Sequence, residues 1–221
     1  MNGWFSNVDW SEITQACVDT LAMLAGSLAL TLLLGLPLGV VLFLTGPGQI
    51  WASRTANGAL AVLVNLLRSM PFIILLILMI PVTVALVGTS LGVLGAIPPL
   101  VVGAAPFFAR LVETALREVD RNTIEAVQAM GATTRDLVLR ALLPEALPGI
   151  IAGATVTAVA LVSFTAMAGV VGAGGLGDLA IRFGYQRFQT DVMLVTVALL
   201  LVLVQLVQAG GDRLVRHFSR R

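Results

Sequence analysis

Long runs without a single charged residue, separated by short polar segments in which arginine recurs, dominate the pattern of this chain. A run of about 20 apolar residues, rising 1.5 Å each as a helix, crosses roughly 30 Å of hydrocarbon. Residues 21–44 and 148–171 are two such runs, and 192–209 is the centre of another, placed at 191–211. Residues 69–109 are uncharged throughout and too long for one helix, so they hold a turn, signalled by Pro81, Gly88-Thr89-Ser90 and Pro98-Pro99. Spans at 58–81 and 99–117 follow. The expected fold class is an all-α membrane protein with five transmembrane helices per subunit, preceded by a segment at 1–19, interrupted by a polar loop at 118–147 and closed by a basic tail at 212–221.

Composition narrows the class. Hydrophobic residues make up 58% of the 221 and charged residues 11%, which excludes an ordinary soluble domain. A secretory signal is not expected at the N-terminus, because Asp9, Glu12 and Asp19 precede the first run where a signal carries positive charge. All 13 basic residues are arginine, so a Walker-type loop, which needs lysine, is excluded along with ATP hydrolysis by that route. One cysteine, Cys17, and one histidine, His217, rule out an intrachain disulfide and a multi-histidine metal centre. No catalytic residue and no metal ligand is expected, and the lipid bilayer, not nucleic acid, is the expected surrounding.

Arginine also sets the expected orientation, since cytoplasmic loops collect it near the span ends. With the N-terminus outside, the inner segments hold Arg54, Arg110, Arg117, Arg121, Arg135, Arg140, Arg213, Arg216, Arg220 and Arg221, and the outer ones only Arg182 and Arg187. Five spans then leave the C-terminus inside. Arg68 fits neither group and has two readings: an amphipathic approach helix near 57–67, with Arg68 snorkelling before Pro71 bends the chain, or a deeper site paired with Glu113. Glu113 itself stands between Arg110 at i−3 and Arg117 at i+4, the spacing of a satisfied ion pair.

Gly172-Ala173-Gly174-Gly175-Leu176-Gly177 matches the G-x-G-x-x-G pattern of dinucleotide sites but follows an apolar helix instead of a strand, so a turn is expected there. An ion-coupled carrier would bury acids in its spans. Only Glu113 approaches that condition, which favours coupling through a partner over a secondary transporter. The loop at 118–147 suits such a partner. Asn122 with Glu125 forms a capping arrangement, Gly131 is a helix stop, and Thr133 with Asp136 opens a second helix expected to end before Pro144. Ile124, Val127 and Met130 share one face, and Leu137, Val138 and Ala141 another. Either face fits a groove on another protein or the membrane surface.

Glu125-Ala126-Val127, then Gly131, then Leu143-Pro144, resembles the EAA loop of type I ABC importer permeases, with Val127 in place of the second alanine and Ala141 at its isoleucine position. Arg68-Ser69-Met70-Pro71-Phe72-Ile73-Ile74-Leu75, Val102-Gly103-Ala104-Ala105-Pro106-Phe107 and Leu142-Leu143-Pro144-Glu145-Ala146-Leu147-Pro148-Gly149 resemble the permease subunits of methionine uptake transporters. That resemblance implies a homodimer in the bacterial inner membrane, two copies of an ABC ATPase that carry ATP and Mg, and an extracytoplasmic substrate-binding lipoprotein. It implies alternating-access import of methionine or a close analogue, no cofactor on this chain, and a coupling role for Glu125, Ala126, Met130, Gly131, Leu143 and Pro144. Another small solute remains the alternative cargo.

Gly35-x3-Gly39 and Gly149-x3-Gly153 suit close helix packing. In span four, Ser163 and Thr165 interrupt the aliphatic run and Met167 is the one long, flexible side chain among small neighbours. Met167 is thus either core packing or, with the resemblance, a gate across a dimer axis; Phe107 and Phe108 are the alternative constriction.

Overall fold

The structure, a computed structural model, describes residues 8–219; Arg220 and Arg221, expected inside, lie outside the described residues. The described residues form helices and turns only. In order these are α1 (Trp10–Thr45), α2 (Arg54–Ser69), α3 (Phe72–Leu78), α4 (Ile80–Val87), α5 (Gly92–Arg117), α6 (Arg121–Ala129) and α7 (Thr134–Asp136). A π-helical turn (Leu137–Leu142) leads into α8 (Leu143–Gly169), and α9 (Gly175–Leu179) leads through a second π-helical turn (Ala180–Tyr185) towards α10 (Thr190–Phe218). Four segments, Trp10–Thr45, Gly92–Arg117, Thr134–Gly169 and Thr190–Phe218, are long and apolar enough to cross a membrane; α2 with α3, bent by 104°, makes a fifth if the pair is one span.

Several expected boundaries move, each for a local reason. Helix α1 begins at Trp10, ahead of residue 21, because the Asp9 carboxylate accepts a hydrogen bond from the Ser11 N–H at 2.8 Å and caps it. The expected span 58–81 is not one helix. Amphipathic α2 ends at Ser69, Pro71 bends the chain, and Pro81 opens α4 instead of closing a span, since proline is tolerated in a first turn. The turn falls at Gly88, whose φ of +80° ends α4. Helix α5 therefore starts at Gly92, and Pro98-Pro99 lie within it rather than at its start. Helix α10 continues through Arg213 and Arg216 to Phe218, so most of the expected tail is helical.

The chain divides into two compact units. In the first (Met1–Leu30, Met70–Ala104, Ala158–Gln208), Met23, Leu100, Leu161 and Ala168 are buried and the Phe72 and Phe164 rings stack at 4.4 Å, fixing α3 on α8. Thr20, on α1, accepts a hydrogen bond from the Leu176 N–H at 2.9 Å, which ties the glycine-rich turn to that helix. No strand precedes this turn among the described residues, consistent with a turn rather than a nucleotide site.

In the second (Thr31–Ser69, Ala105–Thr157, Ala209–Arg221), Phe43, Phe108, Val112 and Leu116 form the core, and Leu137 and Leu142 join it. Helices approach closely here because side chains are absent: a Cβ on Gly39 would lie 2.6 Å from the Ala109 carbonyl oxygen, and one on Gly149 2.9 Å from the Ala115 Cβ. Both glycine pairs are thus packing features. Asn57 donates to the Leu42 carbonyl at 3.0 Å and to the Thr45 hydroxyl at 3.2 Å, which holds α2 against the end of α1.

Candidate functional site

The loop that follows α5 is anchored by an ion triad. Glu113, the single acid of α5, is buried; it accepts from Arg110 and, at 2.7 and 3.1 Å, from Arg117. Arg110 also donates to the Asn65 side-chain oxygen at 3.3 Å, joining α5 to α2. Glu113 is therefore fully engaged, and Arg68 does not pair with it. Arg68 is exposed at the end of α2, its guanidinium 5.7 Å from the Phe107 ring centroid, which agrees with the approach-helix reading.

Helix α6 is capped by Asp120, whose carboxylate accepts from the Asn122 N–H at 2.9 Å; Asn122 is not the cap. Asp is as good a cap as Asn and stands earlier, so the helix begins at Arg121. This frees Glu125, which pairs with exposed Arg121 at 3.0 Å. Ile124 and Val127 pack inward on the second unit's own core, whereas Met130 ends the helix turned outward at 78% exposure. The expected apolar face is consequently divided, and the surface left for a partner is Glu125, Ala126 and Met130. Leu137, Val138 and Ala141 likewise face the chain's own core.

Gly131 turns the chain at φ +77°, a left-handed conformation that a Cβ disfavours. Thr133 then caps α7, its hydroxyl accepting from the Asp136 N–H at 3.2 Å, as its spacing predicts. The second helix does not end before Pro144. It widens into the π-helical turn, where the Leu143 N–H donates to the Val138 carbonyl, and runs on into α8. The wider turn accommodates a proline that cannot make the ordinary bond four residues back. Leu143 packs against the core and Pro144 is exposed. A cavity of about 380 Å³ lies beside α6, rimmed by Gln49, Arg117, Arg121, Glu125 and Gln128.

The pathway candidates separate. Met167 is 45% exposed and shares a face of α8 with exposed Ser163, with exposed Val170 in the turn just after the helix, while Leu161, Thr165 and Ala168 face inward. Phe107 is half-buried under Arg68. Phe108 is 1% exposed in the core of the second unit, where a Cβ on Gly35 would reach within 2.8 Å of its ring, so it presents no face to a pathway. Sequence reasoning missed the Asp120 cap and the Thr20 hydrogen bond. Only the first had a signal, an Asp immediately ahead of the helix.

Apolar helices long enough to cross a membrane, a sequence with no phosphate loop of its own and a capped helix pair with an exposed ion pair in the loop after α5 fit a membrane transport subunit driven by a partner. Residues 32–221 match the model of the family described as "Binding-protein-dependent transport system inner membrane component". The chain belongs to that family. It is 47% identical to the probable D-methionine transport system permease protein MetI of Vibrio cholerae, over 99% of this chain and 96% of the relative. Identity to the methionine import system permease protein MetP of Bacillus subtilis is 46%, over 99% and 98%. Among solved structures, a chain of the MetNI methionine ABC transporter in an inward-facing conformation superposes with a TM-score of 0.94 at 48% identity, covering 96% of this chain and 98% of that one.

Proposed function

We propose that this chain is the permease subunit of an ATP-driven importer of methionine or a close amino-acid analogue. In this reading it acts as a homodimer with two ATPase subunits and an extracytoplasmic substrate-binding lipoprotein in the bacterial inner membrane, N-terminus outside and C-terminus in the cytoplasm. Near-half identity to methionine permeases over almost the whole chain carries the proposal. The arginine asymmetry supports the orientation. A cysteine at Asp9 should react with an impermeant reagent in intact cells and one at Arg216 should not; equal labelling would contradict it.

The ATPase, holding ATP and Mg, supplies the energy; this chain supplies the lever. Glu125, Ala126 and Met130 meet the ATPase, Gly131 sets the angle between α6 and α7, and Leu143-Pro144 join the loop to α8. Because Thr134–Gly169 runs without a break, force on the loop reaches α8 as a rigid-body movement. The stripe containing Met167 then lines the pathway, two copies closing it across the dimer axis, with Phe107 nearby in function as a second constriction. Met167→Ala should leave assembly intact and raise the resting leak of small solutes.

An ion-coupled carrier is disfavoured because Glu113 is already engaged by ion pairs with Arg110 and Arg117. Proteoliposomes containing the permease, ATPase and binding protein test the reading. Uptake of labelled methionine should require ATP on the ATPase side and persist when ion gradients are collapsed. Uptake driven by a proton gradient without ATP would overturn it.

A further inference from the structure

Within the second unit, the last turns of α1 and the segment that joins α7 to α8 leave a groove between them that the transport cycle above does not use. Its volume is about 480 Å³. Leu36, Val40 and Leu44 of α1 form one wall, and Val138 and Leu139 of the π-helical turn, with Leu143 at the start of α8, form the other. Leu139 is 51% exposed, so the groove is an open apolar trough and not a filled core.

Two residues of different chemistry complete the lining, Trp51 and Arg135, and both are exposed. The Trp51 N–H donates to the Leu44 carbonyl at 3.0 Å, which places Trp51 where α1 ends, and Arg135 precedes the π-helical turn on the loop side. Asp136, next to Arg135 in sequence, is already engaged on both oxygens: Oδ2 accepts from the Thr133 hydroxyl at 2.6 Å and Oδ1 lies 3.3 Å from Arg140 Nε. Residues 134–140 hold two arginines and one aspartate, so this end of the groove keeps an excess positive charge.

Depth decides what can enter. The α1 wall belongs to the uncharged run 21–44, and Leu36 to Leu44 rise about 12 Å along the helix. One leaflet contributes about 15 Å of hydrocarbon, so the trough lies beside the inner leaflet and a soluble domain does not reach its far end. Tryptophan and arginine at the mouth stand where headgroups begin.

We propose that this groove binds an anionic phospholipid of the inner leaflet, one acyl chain lying between α1 and the π-helical turn and the headgroup meeting Arg135 beside the Trp51 ring. The inference rests on the orientation proposed above. Charge selects an anionic lipid over a zwitterionic one, since the mouth carries an excess guanidinium. A second copy of this chain would have to bring an apolar ridge with an anion at its foot; a phospholipid carries the two covalently joined. The bound chain packs on the segment through which the loop meets α8.

The test uses the assembled permease and ATPase complex in phosphatidylcholine nanodiscs doped with phosphatidylglycerol that carries a photoactivatable diazirine on one acyl chain. A matching phosphatidylcholine probe is the comparison, and labelled peptides are mapped by mass spectrometry. The phosphatidylglycerol probe should label residues 36–44 and 138–143 about fivefold more than the phosphatidylcholine probe. Arg135→Gln, at an exposed position where folding is not at stake, should abolish that preference, and Arg182→Gln, on the outer side, should keep it. Labelling of the groove that is absent, equal for the two probes or equally selective in Arg135→Gln would overturn the lipid site. So would a cysteine at Leu139 that cross-links to a second permease copy in place of lipid labelling. None of these results touches the transport reading or the orientation, which ATP-dependent uptake and the labelling of cysteines at Asp9 and Arg216 test on their own.

Discussion

Two connections in this molecule share a local grammar and put it to opposite uses. The loop through α6 and α7 and the turn through α9 each contain a glycine at positive φ, a π-helical turn and an i,i+4 aspartate–arginine pair, Asp136–Arg140 at 3.3 Å and Asp178–Arg182 at 3.1 Å. In the first, Ile124, Val127 and Leu137 turn inward and the exposed surface joins the Arg121–Glu125 ion pair to Met130. In the second, Tyr185 and Phe188 stay outside while Leu176 and Leu179 are buried. The difference teaches that turns of the same local geometry can present different surfaces: an ion-paired Glu125 beside Met130 on one, and the rings of Tyr185 and Phe188 on the other.

The largest expected break in this comparison comes from Gly131→Val. A β-branched residue at φ +77° meets a left-handed strain of about 1–2 kcal/mol or more and tilts α6 relative to α7. ATP-dependent methionine uptake should fall by an order of magnitude, while Gly58→Val, at a position with open space and no positive φ, should leave it near wild type. Equal effects of the two would remove the turn from the coupling path.

Next in size is Glu113→Gln, which strips the carboxylate that holds Arg110 and Arg117. Removing one partner of a fully buried pair costs about 3–5 kcal/mol, and because both arginines are partly exposed the loss should lie below that range. The permease should unfold at a lower temperature, and the variant should not acquire or lose proton dependence of uptake. A change in proton dependence would revive ion coupling.

Smaller still is the cap. Asp120→Ala should destabilise α6 by about 1 kcal/mol and Asn122→Ala by much less, measured as hydrogen exchange of the α6 amides. Equal losses would restore Asn122 as the cap. Glu125→Ala should be nearly silent in stability, since exposed pairs contribute about 0–1 kcal/mol, yet lower coupled ATP hydrolysis. Loss of stability without loss of coupling would reduce Glu125 to a local ion pair.

How legible the sequence was follows from how local each determinant is. Charge-free runs reveal apolar helices because the hydrocarbon requirement acts on every residue of a span. Thr133 with Asp136 and Gly131 were readable because caps and left-handed turns are decided within a few residues. The boundaries that moved depended on context. Pro81, Pro98-Pro99 and Pro144 act as breakers only in a regular helix interior, and here a first turn or a widened π-helical turn absorbs the prolines at Pro81 and Pro144. The inward turn of Ile124 and Val127 was not legible either, because a helical face by itself does not say which neighbour covers it. The cluster of Arg182, Arg187 and Phe183 had no sequence signal beyond being the exception to the arginine asymmetry.

The central claim is that the outward face of α6, not its apolar face, meets the ATPase. Site-directed cross-linking in the assembled transporter, with Cys17 replaced by serine, measures this directly. A cysteine at exposed Met130 should cross-link to the ATPase subunit in high yield, and one at Ile124, packed on the chain's own core, should not. Cross-linking from Ile124 with none from Met130 would contradict the account.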